Sequence, residues 1–210
     1  MGRSQSFSVA PPKKETPKQP SKKFLDVKDV ETKTKNLLKE YFISGETDDA
    51  VVTVNDLVGV GHVGAIDRGA KVVEAGCLLV MEMKEEHVTK MMVLFSRCLS
   101  EGTLEKECLI KGLMDPLEFL HDIEIDAPLA RPLLATIVAG FITSNALTLD
   151  FLLSGPEYFL SSGKPARFAA KVVKKMGGEV LASHVFVVDQ LMSAKEKDEF
   201  PSATAFMEST

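Results

Sequence analysis

From Asp26 almost to the C-terminus, apolar side chains recur at i, i+3, i+4 and i+7, the spacing that gathers them on one face of a helix. Val30, Thr34, Leu37, Leu38 and Tyr41 form the first stripe, and Ser44-Gly45 ends it. Thr47 is placed to cap the next helix, with Asp48 and Asp49 favourable in its first turn. The buried stripe there is Ala50, Val51, Val54, Leu57 and Val58, and the apolar run 72–83 is expected to be fully packed. Val88, Met91, Met92, Phe95 and Leu99 come next and stop at Glu101-Gly102. Leu109, Leu113, Leu117 and Leu120 give a further stripe, in which Pro116 is expected to kink the helix near Leu113. Leu129, Leu133, Leu134, Ile137 and Phe141 follow. Beyond Ser154-Gly155-Pro156, helices are predicted near 164–176 and 179–192, parted by Gly177-Gly178.

Roughly eight or nine helices with short connections make antiparallel neighbours. Successive pairs, each with one apolar face, stack into an all-α solenoid. The letters carry no clean repeat, so this expectation rests on helix length and loop spacing, with a compact bundle as the alternative. The predicted organisation is a Pro/Lys-rich disordered linker over 1–25, a helical domain over 26–200 and a flexible terminus over 201–210.

Charge is unevenly spread. Residues 1–25 hold six Lys/Arg and one Glu, while the other 185 hold 19 basic and 29 acidic side chains, a net −10. Phosphate backbones require clustered cations, so the acidic body is read as a surface for a basic protein partner. The basic tail offers at most a weak, salt-sensitive RNA contact. Three cysteines (Cys77, Cys98, Cys108), with no CxxC pair, fit reduced thiols in an intracellular protein. No apolar run is long enough to span a bilayer, and no signal peptide is evident, so no membrane role and a cytoplasmic location are expected.

Two segments invite a chemical reading. Gly59-Val60-Gly61-His62-Val63-Gly64 is a literal G-x-G-x-x-G. A dinucleotide site needs that loop inside alternating strands and helices. Here the residues before it have helical spacing, so it is read as a flexible inter-helix loop with no cofactor. The four histidines lie at no zinc-ligand spacing, and the cysteines sit in or beside apolar stripes as small core residues. No nucleophile–base set or small-molecule substrate site stands out, and an enzyme is not expected. The second segment is HDIEIDAP, residues 121–128. Read as alternating, it sends Ile123 and Ile125 to the core and turns Asp122, Glu124 and Asp126 together toward solvent. The alternative is that Asp126 caps a helix starting near Pro128 and the other acids are ordinary solvated charge.

Residues 37–50 (LLKEYFISGETDDA), followed by Asn55-Asp56-Leu57, resemble the opening of an MA3 domain. Residues 81–87 (MEMKEEH) resemble the link between that family's third and fourth helices. Residues 100–104 (SEGTL) and 110–113 (IKGL) resemble its next turn and helix start, and 122–128 its D-x-x-x-D-x-P loop. The resemblance is close over about 33–145 and loose over 146–200. It implies HEAT-like stacked helix pairs and binding to the DEAD-box helicase of translation initiation, the 4A subunit of initiation factor 4. It also implies that Asp122 and Asp126 stand at helicase-contacting positions, with Glu82 a third. Family members include a scaffold, initiation factor 4-gamma, and a repressor, programmed cell death protein 4. Helices continuing past Leu153 make the scaffold the closer likeness; the repressor, or a nuclear MA3 protein of ribosome assembly or splicing with another helicase, is the alternative. The expected partner surface is therefore Glu82, Asp122, Glu124 and Asp126.

Overall fold

The computed structural model describes residues 26–177 and 180–210; the linker expected over 1–25 lies outside them. Among the described residues there is no strand. The helices are α1 Val27–Ser44, α2 Thr47–Val58, α3 Ala65–Met81, α4 Glu85–Ser100, α5 Lys106–Glu118, α6 Leu120–Asp126 and α7 Ala130–Thr143. A 3-10 turn at Leu149–Ser154 leads to α8 Glu157–Ser162, α9 Pro165–Met176, α10 Ala182–Leu191, α11 Ala194–Glu199 and α12 Ala203–Ser209.

The stripes read from the sequence mark the buried faces of α1 to α4, although Leu37, Met92 and Leu99 are half-buried, and the run 72–83, expected to be fully packed, leaves Leu78, Leu79 and Met83 half-buried and Glu82 exposed. Gly45 ends α1 in the left-handed region at φ +75°, and its N–H donates to the Tyr41 carbonyl at 2.8 Å. Thr47 is the first residue of α2 rather than its cap. Glu46 holds the cap position without a side-chain bond, and the Thr47 hydroxyl donates back to the Gly45 carbonyl at 3.5 Å.

Two layers result. α1, α3 and α5 lie side by side in one, and α2, α4 and α7 in the other, with α3 central to both. This is the HEAT-like all-α fold of paired helices. The close approach of α3 and α5 depends on glycine. A Cβ on Gly112 would lie 2.5 Å from the Ala70 carbonyl oxygen and 2.7 Å from Val73 Cβ. One on Gly69 would lie 2.6 Å from Cys108 Sγ.

α5 runs on through Leu113 and includes Pro116, which has no N–H to donate to the Gly112 carbonyl. The α5–α6 boundary falls at Phe119, whose N–H still donates to the Asp115 carbonyl at 3.0 Å and whose carbonyl accepts the Ile123 N–H at 2.9 Å. The C-terminal helices extend the layers. α9 packs on α7, and α10 and α12 pack on α9. Phe159 meets Phe168 edge-on at 5.7 Å, and Phe200 meets Phe206 at 5.2 Å. Residues 201–210 contain α12. Ser202 caps that helix by accepting the Ala205 N–H at 3.2 Å, and Phe206 anchors it in the core.

Candidate protein-interaction site

The acid-rich segment is helical, not extended. Its I-E-I alternation gives way to the helical period of α6, and the consequences differ residue by residue. Ile123 packs half-buried against the core, whereas Ile125 is 74% exposed rather than buried. Asp122 and Asp126, four apart, share one exposed face of α6. Glu124 does not join them. Its carboxylate accepts two hydrogen bonds from Arg131, Nε to Oε1 at 2.7 Å and Nη2 to Oε2 at 2.6 Å. The third Arg131 nitrogen, Nη1, donates to the Gly163 carbonyl at 2.7 Å. Partial burial pushes the Glu124 carboxyl up, but the Arg131 hydrogen bonds and charge outweigh it and hold the group below the usual carboxylate range. Glu124 and Arg131 thus tie α6 to α7 and to the turn before α9.

Asp126 does not cap the following helix. A turn over 127–129 intervenes, α7 begins at Ala130, and its cap position is Leu129 with no side-chain bond. Leu129, expected in the buried stripe, is 62% exposed because it precedes the helix.

Folding brings Asp126 to Glu82 across 44 residues of sequence. Both line a groove of about 520 Å³ whose walls also include Met81, Met83, Ile123 and Leu129. Among the described residues Glu82, Asp122 and Asp126 have no ion-pair partner. Glu82 sits at the C-terminal cap of α3, where the helix dipole disfavours an anion, and no basic residue occupies the last turn. Leu129, Ile125 and Phe119 (51% exposed) supply large apolar groups on the same segment. Sequence reasoning missed these three; only the helical period of 119–126 carried the signal.

The other singled-out residues have structural roles. Gly59, Gly61 and Gly64 all adopt positive φ, closing α2 and opening α3. The loop is tied down rather than flexible, because buried Arg68 donates from Nε to the Val58 carbonyl at 2.8 Å and from Nη1 to that of Val63 at 3.0 Å. The residues before it are helix, so the strand–loop–helix unit of a dinucleotide site does not form. All three thiols are buried, and desolvation pushes those of Cys77 and Cys98 up to about 12. His184 is buried and accepts the Leu181 N–H at 3.4 Å, and His87 meets Phe42 edge-on at 5.0 Å. Among the described residues no group of three His, Cys, Asp or Glu side chains is placed to hold a metal ion, and no helix is long and apolar enough to cross a membrane.

Two layers of paired helices thus carry a groove lined by carboxylates and apolar side chains. The chain belongs to the MA3 domain family, which matches residues 30–148, over half its length. MA3 domains mediate protein–protein interaction. The chain is also 31% identical over 84 residues to a von Willebrand factor A domain-containing protein of Dictyostelium discoideum. That match covers 40% of this chain and 4% of the relative, so the chain spans a small fraction of that protein's length. No solved structure matches.

Proposed function

We propose that the chain is a non-catalytic cytoplasmic adaptor that binds the DEAD-box helicase of translation initiation, factor 4A, as part of a factor 4-gamma-like scaffold. The observation that carries this reading is the shared groove of Glu82 and Asp126, whose carboxylates have no ion-pair partner among the described residues and stand beside exposed Leu129. Arg or Lys on a helicase lobe meets Glu82, Asp122 and Asp126, which steer encounter and fix register. Exposed pairs contribute only about 0.2–1 kcal/mol each. Affinity therefore depends on apolar anchors, and Leu129, Ile125 and Phe119 are the groups available for insertion. A lobe held this way biases the helicase between open and closed states when affinity differs between them.

Helices that continue past the family's matched region and pack on α7 support the scaffold over the repressor. Calorimetric titration of the helicase with the chain, with and without RNA, tests both. Micromolar or tighter binding that persists with RNA is expected. Binding abolished by RNA points to the repressor, and no binding at all removes this helicase and turns the search to nuclear ones.

A further inference from the structure

The acid-lined groove lies at a defined end of the molecule. α1 and α3 run side by side in the same direction, since Glu31 feels the charge of Lys71 and Leu38 lies against Gly76. The C-terminal ends of α1 and α3 therefore lie together. The contacts of the α3–α4 connection agree: Phe42 meets His87, and Lys90 Nζ donates to the Phe42 carbonyl at 2.6 Å. Glu82 belongs to this end, as do Glu46 and Asp49 at the α1–α2 turn. None of these three carboxylates has an ion-pair partner among the described residues. Lys39, Lys84 and Lys90 are among the basic residues interspersed with them, and Lys175 reaches Glu85 nearby at 3.3 Å.

The chain itself contains a segment of complementary chemistry. Residues 1–25 carry a net +5 against the −10 of the remainder. Within that stretch Phe7 and Val9 are followed by Lys13 and Lys14, so apolar groups are joined to cations as an apolar groove with a carboxylate rim requires. The reach is sufficient. Asp26 lies twelve positions after Lys14, and an extended chain of that length spans up to about 40 Å. The 18 residues of α1 span about 27 Å at the helical rise, and the groove lies a further one to two helix spacings of about 10 Å to the side, within that reach.

We propose that residues 1–25 dock on the acid-lined groove of their own chain and compete with the partner that the groove takes. The competition rests on the proposed function above; the docking does not. A tethered segment has an effective concentration in the millimolar range, so contacts too weak to hold a free peptide populate the docked state. The attraction is between exposed charges and is screened by salt.

The buried native thiols allow a nitroxide to be placed on Ser8→Cys of the full chain alone. Paramagnetic broadening of the Met83, Asp126 and Leu129 amides is expected, and its loss in 1 M salt, where the screening length is about 3 Å. The labelled full chain carrying Lys13→Gln, Lys14→Gln and Lys18→Gln should lose the broadening as well. Broadening that is absent, centred elsewhere, or arising between separate molecules in a mixture of spin-labelled and isotope-labelled chains would overturn the docking. In a second arm the triple Gln chain should bind the factor 4A helicase about three- to tenfold more tightly, as removal of a competing state requires. Unchanged affinity overturns the competition. If neither chain binds the helicase while the broadening persists, the proposed partner fails and the docking stands.

Discussion

Arg131 grips both carboxylate oxygens of Glu124, seven residues earlier, and uses its remaining nitrogen on the Gly163 carbonyl. One buried guanidinium thus sets the angle between α6 and α7 and anchors the start of the C-terminal extension. Asp122 and Asp126 face outward because Glu124 is held inward.

Removing the acid strands that guanidinium. Glu124→Ala is expected to cost about 2–3 kcal/mol, below the 3–5 of a fully buried pair because the carboxylate is partly exposed. Urea denaturation at neutral pH measures it, and a change under about 0.5 kcal/mol, the scale of an ordinary surface substitution, would show that the clamp is not formed.

The same pair sets a pH dependence. The folded Glu124 carboxyl titrates below its unfolded value of 4.5. Its stabilising effect is complete above that value and is lost as pH falls from it through the folded pKa. Glu124→Gln should remove this part of the acid-induced loss, so parent and variant stabilities converge as pH drops below about 4.5. Parallel stability–pH curves would contradict it.

At the α3–α5 crossing, Gly112→Ala sets a methyl against a backbone carbonyl and a β-branched side chain, neither of which can swing aside. A loss of about 1–3 kcal/mol is expected from overpacking, seen as a lower melting temperature. An unchanged melting temperature would mean that the helices stand further apart.

The C-terminal helix provides a separate check. Phe206→Ala should cost about 3 kcal/mol, as for a buried aromatic, and should raise amide exchange through α10 and α12. A shift within the range of surface substitutions would show that α12 does not dock.

The long amphipathic helices were legible because each repeats its period over three or more turns. Val30 to Tyr41 and Val88 to Leu99 admit no other reading. The short ones were not. α8, α11 and α12 offer fewer than two turns of pattern, and α12 is defined by long-range packing of Phe206. In α6 the alternation of Ile123 and Ile125 satisfies a strand period as well as a helical one, and only the helical period leaves Ile125 exposed. The partners of Glu124 and Arg68 are set by tertiary geometry that no local spacing announces. Glu82 and Asp126 are marked by the family resemblance alone, and their meeting in one groove is a product of folding.

The groove's role is tested most directly by calorimetric titration of the factor 4A helicase with three folded chains: the parent, Glu82→Lys/Asp126→Lys, and Asp115→Lys. Asp115, exposed on α5, is a charge control outside the groove lining. Binding by the parent and the control with at least a tenfold loss in the double variant, about 1.4 kcal/mol, is the expected result. Equal affinity of all three chains would contradict the assignment of the groove.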